Sequence, residues 1–290
     1  MDKDLTVGFI GTGVMGRSMA SNILNGGYKL LVNNRTKESA DTLVEKGAVW
    51  KESIADLAKD ADVIITIVGY PNDVENIYFR EDGILNNCKK GTIVIDMTTS
   101  KPSLAQRIFN EAKEKDISAL DSPVSGGDIG ARDGKLTIMV GGEKEVFEKV
   151  SPLFKLMGTS VNLLGAAGAG QHTKMSNQIA IASNMIGVCE AMVYAKRAGL
   201  DPEKVLMTIG GGAAASWSLS NLAPRMIKGD FEPGFYVKHF VKDMKIALEE
   251  AENMGIKLLG LELAKSLYDE LVEDKKENKG TQVLYQLLDK

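Results

Sequence analysis

The chain has 290 residues, 44% of them hydrophobic and 26% charged, with a formal net charge of -4. Such fractions belong to folded globular proteins, not to disordered or collagen-like chains, and at about 150 residues per domain the length favours two domains. No long block of like charges offers a footprint for nucleic acid or an anionic membrane. Cys88 and Cys189, with His172 and His239, lie at no disulfide-framework or metal-ligand spacing, so no metal is expected.

The opening Met1 to Thr6 carries acids where a signal peptide needs basic residues, and no uninterrupted apolar run of membrane-spanning length follows. The expectation is a cytoplasmic protein. As far as residue 163, β-rich runs alternate with helical patterns, the signature of βαβ units and a parallel sheet covered on both faces. The runs are Thr6 to Ile10, Lys29 to Asn33, Ala48 to Trp50, Val63 to Val68, Thr92 to Ile95, Ile117 to Leu120, Leu136 to Val140 and Ser160 to Leu163. Between them lie helix signals, among them a capping-type Ser53-Ile54-Ala55-Asp56 and prolines Pro71 and Pro102 near helix starts.

The pattern changes after Gly165. From Gly170 to Ala198 there is no proline, and Met175, Ile179, Ala182, Ile186, Cys189 and Val193 recur at helical spacing. One helix of that length spans roughly 40 Å, enough to leave the first domain and form the axis of a second. Further helices are predicted over Pro202 to Ile209, Leu219 to Ile227, Val237 to Asn253, Leu259 to Glu273 and Gln282 to Leu288. The fold class is therefore α/β: a Rossmann-type doubly wound sheet over residues 1–165, joined by a long helix to an all-helical domain over 166–290.

Gly11-Thr12-Gly13-Val14-Met15-Gly16 follows the first strand directly and opens a helix, the context that a dinucleotide fingerprint requires. Gly11 permits the tight turn, Gly13 lets the backbone approach a pyrophosphate, and Gly16 lets helix and strand pack closely. The helix start presents free N–H groups and a positive dipole end to phosphates. A βα turn that binds nothing is the bland alternative.

An NAD site needs an acid after the second strand to hold the ribose hydroxyls, and this chain has Asn33-Asn34-Arg35-Thr36 there. Arg35 offers a planar fork to a 2'-phosphate, Asn34 and Thr36 neutral hydrogen bonds, and Lys37 further charge, so NADP is expected over NAD. Arg35 as a solvated surface residue is the competing reading. The loops carrying Val68-Gly69 and Thr98-Thr99 follow strands, at the ligand edge of such sheets, and are expected to line the nicotinamide half.

Asp121-Ser122-Pro123-Val124-Ser125-Gly126-Gly127 also follows a strand. Ser125 supplies a hydroxyl, and Gly126 and Gly127 can turn successive N–H groups toward a carboxylate, although an ordinary turn fits equally. A flexible link from Gly165 leads into the long helix, with Lys174 and Asn177 three residues apart on one face. A lysine near a helix start opposes the helix dipole, which a proton-exchanging role would explain and a snorkelling surface lysine would not need.

These blocks, with Lys242-Asp243 near the end of the chain, resemble in order and register those of the β-hydroxyacid dehydrogenase family, which includes 3-hydroxyisobutyrate dehydrogenases and tartronate semialdehyde reductases. The resemblance covers nearly the whole chain. It implies a substrate carboxylate at Ser125, Gly126 and Gly127, Lys174 as general acid or base, Asn177 orienting the substrate, and Lys242 reaching the cofactor. Asn34-Arg35-Thr36 matches NADP-using members. Gln178 stands where many relatives have asparagine, and Gly280-Thr281-Gln282 lacks an aspartate frequent there, so the exact acid or semialdehyde is left open. Trp217 is expected either to shape the pocket or to lie in the core. A family-level prior favours a homodimer or homotetramer.

The competing readings are an imine reductase, which resembles this architecture but usually lacks the lysine, and a nucleotide-binding regulator, which has no need of a proton donor. A decarboxylating 6-phosphogluconate dehydrogenase is generally far longer.

Overall fold

In a computed structural model describing residues 4–290, the chain divides at the Lys174–Met175 bond into two units. The first three residues of the opening read above for a targeting signal lie outside the described residues.

The first unit is built on a sheet of β1 (Thr6–Ile10), β2 (Lys29–Asn33), β3 (Val49–Trp50), β4 (Val63–Thr66), β5 (Ile93–Asp96), β6 (Ser118–Asp121), β7 (Val124–Ser125), β8 (Leu136–Gly141) and β9 (Gly158–Gly165). Its helices are α1 (Val14–Asn25), α2 (Asp41–Val44), α3 (Ile54–Asp60), α4 (Pro71–Phe79), α5 (Ile84–Asn87), α6 (Pro102–Lys113), α7 (Gly127–Arg132) and α8 (Lys144–Met157). The order β3-β2-β1-β4-β5-β6 is parallel throughout and reverses between β1 and β4, which makes the carboxyl ends of those two strands the ligand crevice.

Period-two alternation divides the core. Val7, Phe9, Val63, Ile65, Ile93 and Ile95 face one apolar layer, while Ile10, Ile64 and Val94 face the other, so β4 is buried along its whole length. The expected parallel, doubly wound sheet is present, and it acquires an antiparallel member at its far end. Strand β8 runs antiparallel to β6 and β7, which take consecutive places along one of its edges, and parallel to β9 on the other. The short α7 between β7 and β8 leaves too little chain for the dozen or so residues that a parallel crossover requires.

Local signals set the helix starts. Ser53 accepts the Asp56 amide at 3.0 Å as the cap of α3, and Pro71 and Pro102 occupy first-turn positions of α4 and α6.

The second unit is helical: α9 (Ala169–Arg197), which contains the unit boundary, then α10 (Pro202–Ile209), α11 (Trp217–Asn221), α12 (Ala223–Ile227), α13 (Val237–Asn253), α14 (Leu259–Glu273) and α15 (Leu284–Leu288). By length and composition alone α9 could cross a membrane. Its apolar face, however, is the spine of a packed core: Met175, Ala182, Met185, Cys189 and Met192 join Phe240, Met244, Tyr268 and Leu284. The expected single helix over Leu219 to Ile227 is two, because Pro224 has no N–H to continue the ladder and sits instead in the first turn of α12, whose first residue is Ala223.

Candidate active site

At the β1–α1 turn Gly11 has φ +100, and a Cβ there would overlap the Ile67 carbonyl oxygen. A Cβ on Gly16 would overlap the Gly11 carbonyl, so α1 approaches the strand only because both positions lack side chains. Above Gly13 there is open space, and Gly13 and Val14 are exposed, with Met15 half-buried. The start of α1 carries no side-chain cap and no acid in its first turn, leaving its amides available to an anion. The buried Thr12 hydroxyl has no hydrogen-bond partner among the described residues.

The Thr12 amide donates to Asn34 Oδ1 at 3.1 Å, and Asn34 Nδ2 donates to the Thr36 carbonyl at 2.8 Å. Asn34 thus ties the loop after β2 to the glycine turn, with Arg35 between, exposed and without a carboxylate partner among the described residues. Lys37 is engaged elsewhere: it pairs with Glu52 at 3.0 Å and lies over the Trp50 ring.

The two loops expected along the nicotinamide half are joined, as the Val68 amide donates to Thr98 Oγ1 at 3.0 Å. Gly69 and Thr99 beside them are half-buried. Below them Asp96 Oδ1 accepts from the Thr98 amide at 3.1 Å and the Thr66 hydroxyl at 2.9 Å, and Thr66 Oγ1 lies 3.1 Å from Tyr78 Oη. Burial pushes the Asp96 carboxyl up to about 6, against the pull of its Thr98 and Thr66 hydrogen bonds. Sequence reasoning missed Asp96, although an acid closing the apolar run Ile93 to Ile95 was a usable signal.

In the Asp121 to Gly127 block Ser125 is half-buried on β7, and Gly126 and Gly127 have φ +127 and +65, successive turns that an L side chain resists. Asp121 was read only as part of that block. Its carboxylate accepts the Gly168 amide at 2.7 Å and the Gln171 amide at 2.9 Å, and burial raises its pKa against those two bonds. Gln171, also missed, is fully buried, with its side chain bonded to the Ser100 amide and the Thr98 carbonyl.

Lys174 is buried, with 6% relative exposure, in the second turn of α9. Asn177 and Gln178 follow at i+3 and i+4 on the same helix face. In the second unit Asn177 Nδ2 donates to Gln178 Oε1 at 2.7 Å and Gln178 Nε2 donates to Asp243 Oδ2 at 2.7 Å. Lys242 on α13 is ion-paired with the buried Asp243 at 3.1 Å. The neighbouring His239 is held down to about 4 by burial and by the Lys242 charge, and is neutral at pH 7. Trp217 is 60% exposed at the first position of α11, which rules out the core reading.

A glycine turn at the switch point of a doubly wound sheet, followed by a helical unit, defines a dinucleotide-binding protein. Residues 6–165 match the family described as the NAD binding domain of 6-phosphogluconate dehydrogenase, and residues 168–288 the family described as NAD-binding of NADP-dependent 3-hydroxyisobutyrate dehydrogenase. An uncharacterised oxidoreductase of Bacillus subtilis, YkwC, is 64% identical over 282 residues, covering 97% of this chain and 98% of the relative. The 2-hydroxy-3-oxopropionate reductase of Escherichia coli is 38% identical, covering 91% and 90%. The Mycobacterium tuberculosis 3-hydroxyisobutyrate dehydrogenase with L-serine superposes with a TM-score of 0.89 at 26% identity, over 98% of this chain and 99% of that one. The chain belongs to the β-hydroxyacid dehydrogenase family, enzymes that oxidise or reduce hydroxy acids with a nicotinamide cofactor.

Proposed function

We propose that the protein interconverts a small 3-hydroxy acid and the corresponding semialdehyde with NADP(H), with Lys174 carrying the hydroxyl proton. The observation that carries this reading is the placement of Lys174: buried, one turn beyond Gln171, whose side chain is bonded to the Thr98–Ser100 loop at the ligand edge of the sheet.

The residues present fit a dinucleotide. The open space over Gly13, the uncapped start of α1 and the Thr12 hydroxyl, without a partner among the described residues, suit a pyrophosphate. Asn34, Arg35 and Thr36, on a loop tied to the glycine turn, suit a 2'-phosphate, and the description of the second matched family as NADP-dependent supports that preference. When bound, the nicotinamide accepts or supplies the hydride.

In the oxidising direction the substrate O–H proton passes to the Lys174 amine as the C–H hydride leaves; in reduction Lys174 returns that proton to the forming alkoxide. Ser125, with the turned amides of Gly126 and Gly127, seats the carboxylate. We assign Asn177, Gln178 and Trp217 to the substrate and Lys242, held by Asp243, to the cofactor. A small β-hydroxy acid, L-serine, in the Mycobacterium tuberculosis relative supports that substrate class. Self-association through the second unit is supported by exposed apolar residues there, including Tyr194, Met207 and Leu259, and light scattering reads it directly.

The test is NADPH oxidation against a panel of small semialdehydes, cyclic imines and keto acids. Saturable turnover of carboxylate-bearing semialdehydes is expected. Turnover of imines alone would replace the reading with an imine reductase, and turnover of nothing with a regulator.

A further inference from the structure

A buried hydrogen-bonded clamp holds the first turn of α9, and no step of the proposed chemistry gives Asp121 or Gln171 a role of its own. Asp121, at the end of β6, accepts two amides at that turn: Gly168 on Oδ1 at 2.7 Å and Gln171 on Oδ2 at 2.9 Å. A capping side chain normally comes from the residue just before its helix, whereas this one comes from 47 residues earlier. Glycines clear its path. A Cβ on Gly141 would lie 2.5 Å from Asp121 Oδ1, and one on Gly170 would lie 2.7 Å from the Asp121 carbonyl and 2.8 Å from Oδ2.

Gln171 supplies the other half of the clamp. Its Oε1 accepts the Ser100 amide at 2.9 Å and its Nε2 donates to the Thr98 carbonyl at 2.7 Å, so its side-chain oxygen and nitrogen are both occupied in a fully buried site. Thr98 is itself held by Asp96, which accepts its amide, and by the Val68 amide, which donates to its hydroxyl. One continuous polar network therefore runs from β4 and β5, through the Thr98–Ser100 loop, to the start of α9.

We propose that Asp121 and Gln171 are positioning residues for the reaction. The carboxylate fixes the first turn of α9 along its axis, and the amide fixes its rotation against the Thr98–Ser100 backbone. Lys174, three residues beyond Gln171 on the same face and roughly 4.5 Å further along the axis, is thereby held at a set distance from that loop. A helical turn is stiff, so displacement of the clamp is passed to the lysine, and a misplacement of about 1 Å at a reacting centre can cost about 10²-fold in rate.

The inference rests on Lys174 being the proton carrier, and the experiment separates the two. Gln171→Met keeps the side-chain length and removes both bonds; Asp121→Asn keeps one acceptor and turns an NH₂ group toward a backbone amide. Each is compared with the parent and with Lys174→Ala for kcat, KM, NADPH affinity and the isotope effect with 4-deuterated NADPH. Protection of the Ser100, Gly168 and Gln171 amides from hydrogen exchange is read in parallel. Expected for Gln171→Met are a kcat lowered about 10²-fold, unchanged NADPH affinity, a larger isotope effect and faster exchange at Ser100. A folded Gln171→Met protein with parental kcat and isotope effect, whatever its melting temperature, would overturn the proposal and leave the bonds a purely structural role. Should that variant not fold, Asp121→Asn carries the same comparison with the same two outcomes. Turnover retained in Lys174→Ala removes the reading of the lysine itself; turnover lost there but retained in Gln171→Met removes only the clamp.

Discussion

Replacing Arg35 by alanine should change which cofactor the protein prefers, not whether it binds one. Arg35 lies between Asn34, which accepts the Thr12 amide at 3.1 Å, and Thr36, whose carbonyl accepts from Asn34 at 2.8 Å. Its backbone is thus anchored to the glycine turn, while its side chain is exposed and without a carboxylate partner among the described residues. The mutation removes a cation and should disturb little else. A charge-assisted hydrogen bond contributes about 1.5–3 kcal/mol, and exposure places Arg35 at the low end, about tenfold in affinity. Fluorescence titration with NADPH and NADH, at low and at physiological ionic strength, is the assay. NADPH affinity should fall about tenfold, NADH affinity should stay within about twofold, and the NADPH loss should shrink as salt screens the parent's interaction. Arg35→Lys should recover only part, since an ammonium lacks the guanidinium fork. An unchanged ratio of the two affinities, or an equal loss of both, would refute the assignment of Arg35 to the 2'-phosphate.

Gly16→Ala should lower NADPH affinity by an order of magnitude or more and cost about 1–3 kcal/mol of stability, because its Cβ overlaps the Gly11 carbonyl and pushes α1 off the turn; denaturant melts and titration check both. Asp96 and His239 make opposed contributions to the pH dependence of stability. With a folded pKa of about 6 against the ordinary 3.8, Asp96 keeps a proton that the unfolded chain has lost, so its contribution to stability falls as pH rises across that window. His239, held down to about 4 from 6.5, does the reverse: the unfolded chain takes up the proton first, and its contribution rises with pH across its own window. Asp96→Asn should therefore leave stability climbing more steeply between about pH 4 and 6 than in the parent, read by urea melts at several pH values; an identical slope would contradict the raised Asp96.

Much of this structure was legible in the sequence because its signals are local. Thr6–Ile10 and Lys29–Asn33 begin and end where the β-rich runs do, and Val237–Asn253 and Leu259–Glu273 where the helical periodicity does. Ser53 caps α3 through a bond to an amide three residues away. What escaped depends on contacts between distant segments. The two-residue β7 has too few residues to show a period, and the direction of β8 follows from how little chain α7 occupies. Pro224 is the exception, a local signal that separates α12 from α11.

At the candidate site the glycine turn was legible because a short motif encodes a backbone shape, and φ values at Gly11, Gly126 and Gly127 accord with what those positions were expected to permit. The partners of Asp121 and Gln171 were not, since only the topology brings residues 47 apart into one hydrogen bond. Nor did the spacing of Lys242 and Gln178 show that both would meet on Asp243.

The central claim is that Lys174 moves the proton while a neighbouring hydride is transferred. Its most direct test is rapid mixing of the preformed NADPH complex of Lys174→Ala with a carboxylate-bearing semialdehyde that the parent reduces. The account predicts parental NADPH affinity and a hydride-transfer step slowed by about 10² to 10⁴, the usual worth of a general acid. Transfer at the parental rate would contradict it.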